Sequence, residues 1–346
     1  MTDSAKTLVK PRVLAIDAAR AVAIIGVVFN HAIDGLVSSG LLATDTRLAH
    51  FNAALYIFRM PALVFIVGFF IIGGTSRYGL AKYIKRRARL LAYLYVLWFF
   101  IQTIAELATG SVKNNPRTAD SLIRIWEPPA HLWFLPFLAL STAIVAWVVA
   151  SRGAAWLVGG LTVASVFLWG WNPSVVGVQG ISLIGFLAAG AYLGLPRATK
   201  LLTQPAGVAA VVLLMSAAAF TAMYELLELH PSTLGENIDA PGGLVSYAAA
   251  SAGICAMLAA ASLMARWRLL AALLAFIGSR TLEIYLAHVI VVAGSRVLLT
   301  KGLGLEQPVP LAIITVVLGI MVPIVAATFA NRLGLSWIFA LPKKLR

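Results

Sequence analysis

Charge is what this chain has least of. Only 12% of its 346 residues are Asp, Glu, Lys or Arg, while 61% are hydrophobic. A soluble domain carries about twice that charged share, so a water-exposed globule is excluded. Cysteine is nearly absent too. Cys255 stands alone inside an apolar run, which rules out an intrachain disulfide and leaves the redox compartment open. There is no Walker-type glycine loop, no H-E-x-x-H and no G-x-S-x-G elbow. The D-x-D pair of a metal- and nucleotide-sugar-dependent glycosyltransferase is also missing, and no metal is implied.

What the chain has is long apolar runs, with a mean hydropathy of +0.92. Ten are of bilayer length: about 13–36, 51–74, 88–109, 131–150, 154–171, 174–195, 203–228, 242–265, 279–300 and 307–331. The expected fold is an all-α polytopic bundle, one membrane domain over 1–346. Residues 266–278 are apolar but brief, as in an interfacial or re-entrant helix. Lys6, Lys10 and Arg12 before the first run look like a secretory signal. The run is long, carries Asp17 and Arg20, and lacks a small-x-small site, so an uncleaved span is expected.

An even number of spans puts both ends on one side. The lysines and arginines concentrate in the N-terminus and the loops on its side, leaving only Arg47, Lys113, Arg117, Arg124, Arg296 and Lys301 opposite. That bias places both termini in the cytoplasm of a cell inner or plasma membrane. The net charge of +14 would suggest nucleic acid in a soluble protein. Here it fits cytoplasmic loops against anionic lipid, with no nucleic-acid partner. Glu225, Glu228, Glu236 and Asp239 lie on the outer side, where such runs are usually solvated faces. They also stand where an acceptor would arrive.

The first span organises the rest. It carries Asp17, Arg20 and His31, and ionisable groups at membrane depth normally face a protein interior or a wet cavity. Arg20 and His31 are eleven residues apart, nearly on one helix face and about 16 Å apart along the axis. Asp17 lies three residues from Arg20 and can pair with it. The simpler alternative is an Arg20 that snorkels and a His31 that ends the helix. Arg59 lies inside the second span beside Pro61, which frees a carbonyl and suggests a lined cavity. Arg86 and Arg89 share a face at the start of the third span, within a cluster that includes Arg87. Their forked guanidiniums suit phosphates, although a basic loop is also ordinary positive-inside topology. The fourth span opens with His131 and Trp133, of which an aromatic belt explains only the tryptophan. The ninth carries Glu283, Tyr285 and His288 on an otherwise apolar helix, a set that usually faces a bundle interior.

In this order, the pieces resemble the membrane acyltransferase-3 family, the O-acyltransferases of bacterial envelope glycans and related lipids. They are Asp17-x-x-Arg20-x(10)-His31, Phe58-Arg59-Met60-Pro61 through Gly68, and Arg86-Arg87-Ala88-Arg89-Leu90. His131-Leu132-Trp133-Phe134-Leu135 and Leu282-Glu283-Ile284-Tyr285-Leu286-x-His288 follow. The family often has His at the place of Arg59, Ser-Gly at Val67-Gly68 and Ser at Thr281. The hydrolase-like C-terminal domain of some members is not expected here.

The resemblance implies transfer of an acyl group, most often acetyl, from cytoplasmic acyl-CoA to a hydroxyl of a glycan or glycolipid. Acetyl-CoA or another acyl-CoA is then the co-substrate. Arg86, Arg87, Arg89 and the deeper Arg20 would meet its phosphates. His31 would be the general base, an effect worth about 10²–10⁴-fold, with Asp17 holding Arg20 and His288 in reserve. Arg59 or Tyr285 would stabilise the oxyanion, Glu283 would complete the polar set, and His131 and Trp133 would meet the acceptor. An acyl-histidine intermediate is the alternative to direct transfer. Two rival readings use the same residues: a ten-span secondary transporter of a small anionic or sugar-like solute, and a non-catalytic partner in envelope assembly.

Overall fold

A computed structural model describes residues 14–108, 118–233, 235–236 and 238–342. Among these there are helices and turns and no strand. The chain runs α1 Leu14–Ser38, α2 Arg47–Gly68, α3 Ile71–Tyr78, α4 Leu80–Ala108, α5 Phe134–Ala150 and α6 Ala154–Phe167. It continues α7 Ile184–Leu202, α8 Ala206–Leu226, α9 Ala240–Met264, α10 Arg268–Ser279, α11 Thr281–Val297 and α12 Pro308–Arg332. Among the described residues, nine helical stretches are long and apolar enough to cross a bilayer, counting α2 and α3 as one. The protein is a multi-pass membrane protein.

The fifth expected span, 154–171, is the short one. Helix α6 has 14 residues, a rise of about 21 Å against the ~30 Å hydrocarbon core. It is not among the nine bilayer-length stretches, yet with the turns after it the chain returns to the start of α5. It leaves a three-residue turn after α5, and the irregular stretch that follows brings Gly180 against the ring of Trp133 at the start of α5. The irregular backbone is tied to protein. Asn172 accepts from the Gly180 amide at 2.8 Å and donates to the Thr233 carbonyl at 2.7 Å. Trp169 donates to the His230 carbonyl at 2.6 Å.

Two expected boundaries move. The span placed at 174–195 is helical only from Ile184, because Pro173 and the left-handed Gly177 and Gly180 hold the preceding stretch in turns. The basic loop expected over 75–87 is mostly helix, since α4 begins at Leu80. Lysine and arginine are good helix formers, and no Gly or Pro interrupts 80–108. The left-handed Gly79 separates α3 from α4. Residues 268–279 do form a short separate helix, which lies against α1: Gly278 abuts the Asp17 backbone.

Helix α1 is the centre of the bundle, touching α2, α7, α9, α10, α11 and α12. At the periphery, α8 packs on α9 and buries only Ala209, leaving an apolar face for lipid. Helices α2 and α7 meet at glycines, as close membrane crossings do. A Cβ on Gly190 would collide with the Phe65 backbone, and one on Gly68 with the Leu187–Ala191 backbone. Gly190→Val is therefore expected to destabilise the fold by ~1–3 kcal/mol, read as a lower melting temperature in detergent. An unchanged melting temperature would mean that the two helices separate at little cost.

Candidate active site

Three histidine rings meet where α1, the turn before α5 and α11 converge. The His31 and His288 centroids are 5.1 Å apart, those of His131 and His288 4.6 Å, and those of His31 and His131 6.0 Å. His131 reaches the cluster because Pro128-Pro129 and the strained Ala130 (φ 43°) hold residues 130–133 in a 3-10 turn ahead of α5. His131 and His288 are buried, and His31 is half-buried.

The hydrogen bonds differentiate the rings. His288 Nδ1 lies 2.8 Å from the Tyr285 carbonyl and 3.1 Å from that of Ile284. Carbonyls only accept, so Nδ1 carries the proton and Nε2 presents its lone pair. That Nε2 is buried without a partner. Both His131 nitrogens are likewise buried and unpartnered. One of them is an N–H in the neutral ring, an uncommitted donor. The Tyr285 hydroxyl donates to the His131 carbonyl at 2.5 Å, and its ring packs edge-on against His131 at 4.8 Å. Tyr285 thus braces the turn that positions His131.

A cavity of about 420 Å³ approaches the cluster from one end of the bundle. Arg20, Tyr83 and Arg87 line it, as do Ile24, Leu135 and Tyr285. Its wall is mostly apolar, with cations at one end and Tyr285, the neighbour of His131, at the other. Arg20 pairs with Asp17 at 3.5 Å. A second cavity of about 570 Å³ shares Tyr83, Arg87 and Leu90 with the first. Lys82, Lys85, Arg86 and Arg89 line it, spaced i, i+3, i+4, i+7 along one stripe of α4. Arg86 lies over the Tyr78 ring at 4.7 Å. Ala340 and Leu341 close its far side, so the C-terminal segment lies at this basic end. Hydrogen bonds from Tyr93 to the Trp337 carbonyl (3.0 Å) and from Trp98 to that of Ile338 (2.8 Å) hold it there.

At the opposite end, α1 and α2 enclose a third cavity of about 480 Å³, whose lining includes Asn30, the neighbour of His31. A polar network runs along its wall. Asn30 donates to Asp34 at 2.7 Å, and Asn52 donates to Asn30 at 3.0 Å and Asp34 at 3.2 Å. Arg59 donates to Asn52 at 3.3 Å and lies over the Tyr56 ring at 4.1 Å. The histidine cluster therefore sits between two cavities. On α1, Arg20 and Ile24 face the first, and Asn30 and Asp34 face the third.

The structure brings His31, His131, Tyr285 and His288 together, with Asp17 and Arg20 below them. Arg59 belongs to the far-end network. Glu283 lies outside the cluster, 3.9 Å from Arg280. Trp133 packs on Gly180, Phe134 and Phe137, anchoring the stretch after α6. Arg86 and Arg89 line the basic vestibule as a pair, but Arg87 is the one shared with the apolar cavity. Asn30, Asp34 and Asn52 join the site without standing out in the sequence. Their signal there is faint: two polar residues four apart in the first span, and a third in the second. Among the described residues, no group of three His, Cys, Asp or Glu side chains is placed to hold a metal ion.

A family model described as an acyltransferase domain, acyltransferase-3, matches residues 13–328. No curated protein and no solved structure matches the chain.

Proposed function

The chain belongs to the acyltransferase-3 family of membrane acyltransferases, and from that premise we propose that it carries an acyl group, acetyl first among the candidates, from cytoplasmic acyl-CoA to a hydroxyl of an envelope sugar, polysaccharide precursor or glycolipid. One observation carries the donor half. A basic vestibule adjoins an apolar cavity through Tyr83, Arg87 and Leu90, and that cavity is lined by Tyr285, whose ring packs against His131 of the histidine cluster. That is the shape of CoA: phosphates at one end, a thin pantetheine arm, and a thioester at the tip. Forked guanidiniums suit the phosphates, with Arg87 and Arg20 following the arm inward. The basic end is then the cytoplasmic end, in keeping with the positive-inside bias.

His31 takes the acceptor hydroxyl proton as the oxygen attacks the thioester carbonyl. The C–O bond forms, the C–S bond breaks, and the proton passes from the His31 imidazolium to the departing CoA sulfur. The free N–H of His131 serves as donor to the developing oxyanion. His288, with Nδ1–H tied to its own helix, presents only an acceptor and holds its neighbours in register.

The test is thermal stability of the detergent-purified protein titrated with acetyl-CoA. A ligand at 100 times its Kd, binding only the folded state, adds about 2.7 kcal/mol. The wild type should be stabilised, and Arg86→Ala/Arg89→Ala and Arg87→Ala each less so. If acetyl-CoA, succinyl-CoA and free CoA all leave the wild type unmoved, the acyl-CoA reading fails.

A further inference from the structure

The third cavity has no part in holding the donor, yet it is among the most polar features of the bundle. Asn30 and Asn52 are both about 6% exposed, and the bonds they make converge on Asp34. Asp34 itself is exposed within the cavity. Two buried amides thus fix a carboxylate and leave acceptor capacity facing the void. Two aromatic rings, Tyr56 and Tyr224, stand on the same walls. Tyr224 is backed by Phe220, stacked at 6.0 Å and 25°.

The remaining wall is Leu229 and Pro231, in a segment that is firmly held. Ser182 donates to the Ser232 carbonyl at 3.0 Å, the His230 amide donates to Ser246 at 3.0 Å, and Tyr56 shares a 3.3 Å hydrogen bond with Thr233. The cavity is therefore preformed, which lowers the ordering cost of binding. The field at its mouth is mainly negative. Exposed Glu225, Glu228 and Glu236 flank the Leu229–Pro231 wall, and Asp45 follows Thr44 of the lining. Arg47 and Arg296 are the nearby cations at the mouth, and the buried Arg59 lies deeper, behind Asn52 and Tyr56.

We infer that this cavity is the acceptor subsite, and that it takes an uncharged polyhydroxylated ring, a neutral sugar residue, hydrogen-bonded through its hydroxyls to Asp34 and stacked on tyrosine. A carboxylate accepts hydrogen bonds from adjacent hydroxyls, and an aromatic face covers the C–H side of a sugar ring. The same carboxylate and its acidic surroundings repel an anionic sugar. Asp34 is three residues beyond His31 on α1, about 4.5 Å along the axis. A ring held there brings one hydroxyl to the histidine from the side opposite the thioester. The assignment rests on the acyl-transfer reading, and it adds the site, its ligand chemistry and the discrimination against acidic acceptors.

The experiment uses the full chain in nanodiscs with acetyl-CoA as donor. The probes are methyl glucoside and the corresponding methyl glucuronide, and transfer is followed by acetylated product and thiol release. Wild type should acylate the glucoside in preference to the glucuronide. Asp34→Asn keeps the shape and an oxygen for one of the two amide contacts, and should raise KM for the glucoside about tenfold, as for a lost charge-assisted hydrogen bond. It should also narrow the preference against the glucuronide by a similar factor. Tyr224→Ala, whose hydroxyl makes only a 3.4 Å bond to the His50 carbonyl, should raise the same KM without touching the carboxylate network. Acetyl-CoA binding, read by thermal shift, should be unchanged in both. If acetyl-CoA stabilises the protein but both variants acylate the glucoside like wild type, the site is wrong. Preference for the glucuronide, or no acylation of the glucoside, shows the ligand class to be wrong. If acetyl-CoA does not bind at all, the acyl-transfer reading falls first.

Discussion

His31→Ala is expected to lower acyl transfer from acetyl-CoA by ~10²–10⁴-fold, the worth of a positioned general base. Acetyl-CoA should still stabilise the variant. The basis is placement: His31 stands between a cavity that ends beside Tyr285 and one that begins at Asn30. Its ring lies 5.1 Å from His288, whose Nδ1 is committed to the Tyr285 and Ile284 carbonyls. The measurement is label incorporated from radiolabelled acetyl-CoA into the membrane glycan fraction, beside a thermal shift on the purified protein. His288→Ala provides the contrast, since its role through its neighbours predicts a smaller loss. Near-normal transfer by His31→Ala together with collapse in His288→Ala would move the base to His288. Loss of acetyl-CoA stabilisation in His31→Ala would make it a structural residue.

Val67→Trp should lower turnover by at least ~10²-fold, the scale of a small misplacement of the reacting groups. Val67 lines the apolar cavity from α2 and is only half-buried, so a larger side chain can turn into the void without forcing the core apart. The indole would occupy the channel meant for the pantetheine arm. The basic vestibule lies on α4 and the C-terminal segment, and is left intact. Adenosine 3′,5′-bisphosphate, the phosphate-bearing end of CoA, should therefore stabilise Val67→Trp as it does wild type, while acetyl-CoA gains nothing over this fragment. Full turnover in the variant would show that the acyl arm takes another route. Loss of the fragment's stabilisation as well would mean that the substitution disturbs more than the cavity.

These two substitutions separate chemistry from access. The first leaves the donor path open and removes the proton acceptor. The second leaves all three histidines in place and closes the path. A transporter would show neither pattern with acetyl-CoA.

Hydropathy and charge determined most of the architecture. Bilayer-length apolar runs leave the backbone no choice but helix, and among the described residues nine of the ten expected spans are found close to their expected places, the run at 154–171 giving only the short α6. The exceptions are where local chemistry overrode hydropathy: Pro173, Gly177 and Gly180 delayed α7, and the lysines and arginines of 80–89 extended α4 backwards. The 3.6-residue helical period is enough to pair Asp17 with Arg20 and to put Arg20 and His31 on one face. The ordered motifs pointed to the family.

Tertiary structure alone decided which polar residues meet. His31, His131 and His288 are separated by 100 and 157 residues along the chain, and no helical period relates side chains on three different elements. Glu283 shares a helix with His288 yet faces Arg280, because a turn and a half of helix reverses direction. Arg59 has the charge and depth of a catalytic cation, and only the packing of α2 shows that Asn52 and the Tyr56 ring hold it. Arg87, flanked by two better-spaced arginines, is the one that joins the two cavities. A buried polar group shows in sequence that something must face it. What faces it depends on how helices far apart in the chain pack, and that follows from contacts such as Gly190 on Phe65 and Gly278 on Asp17.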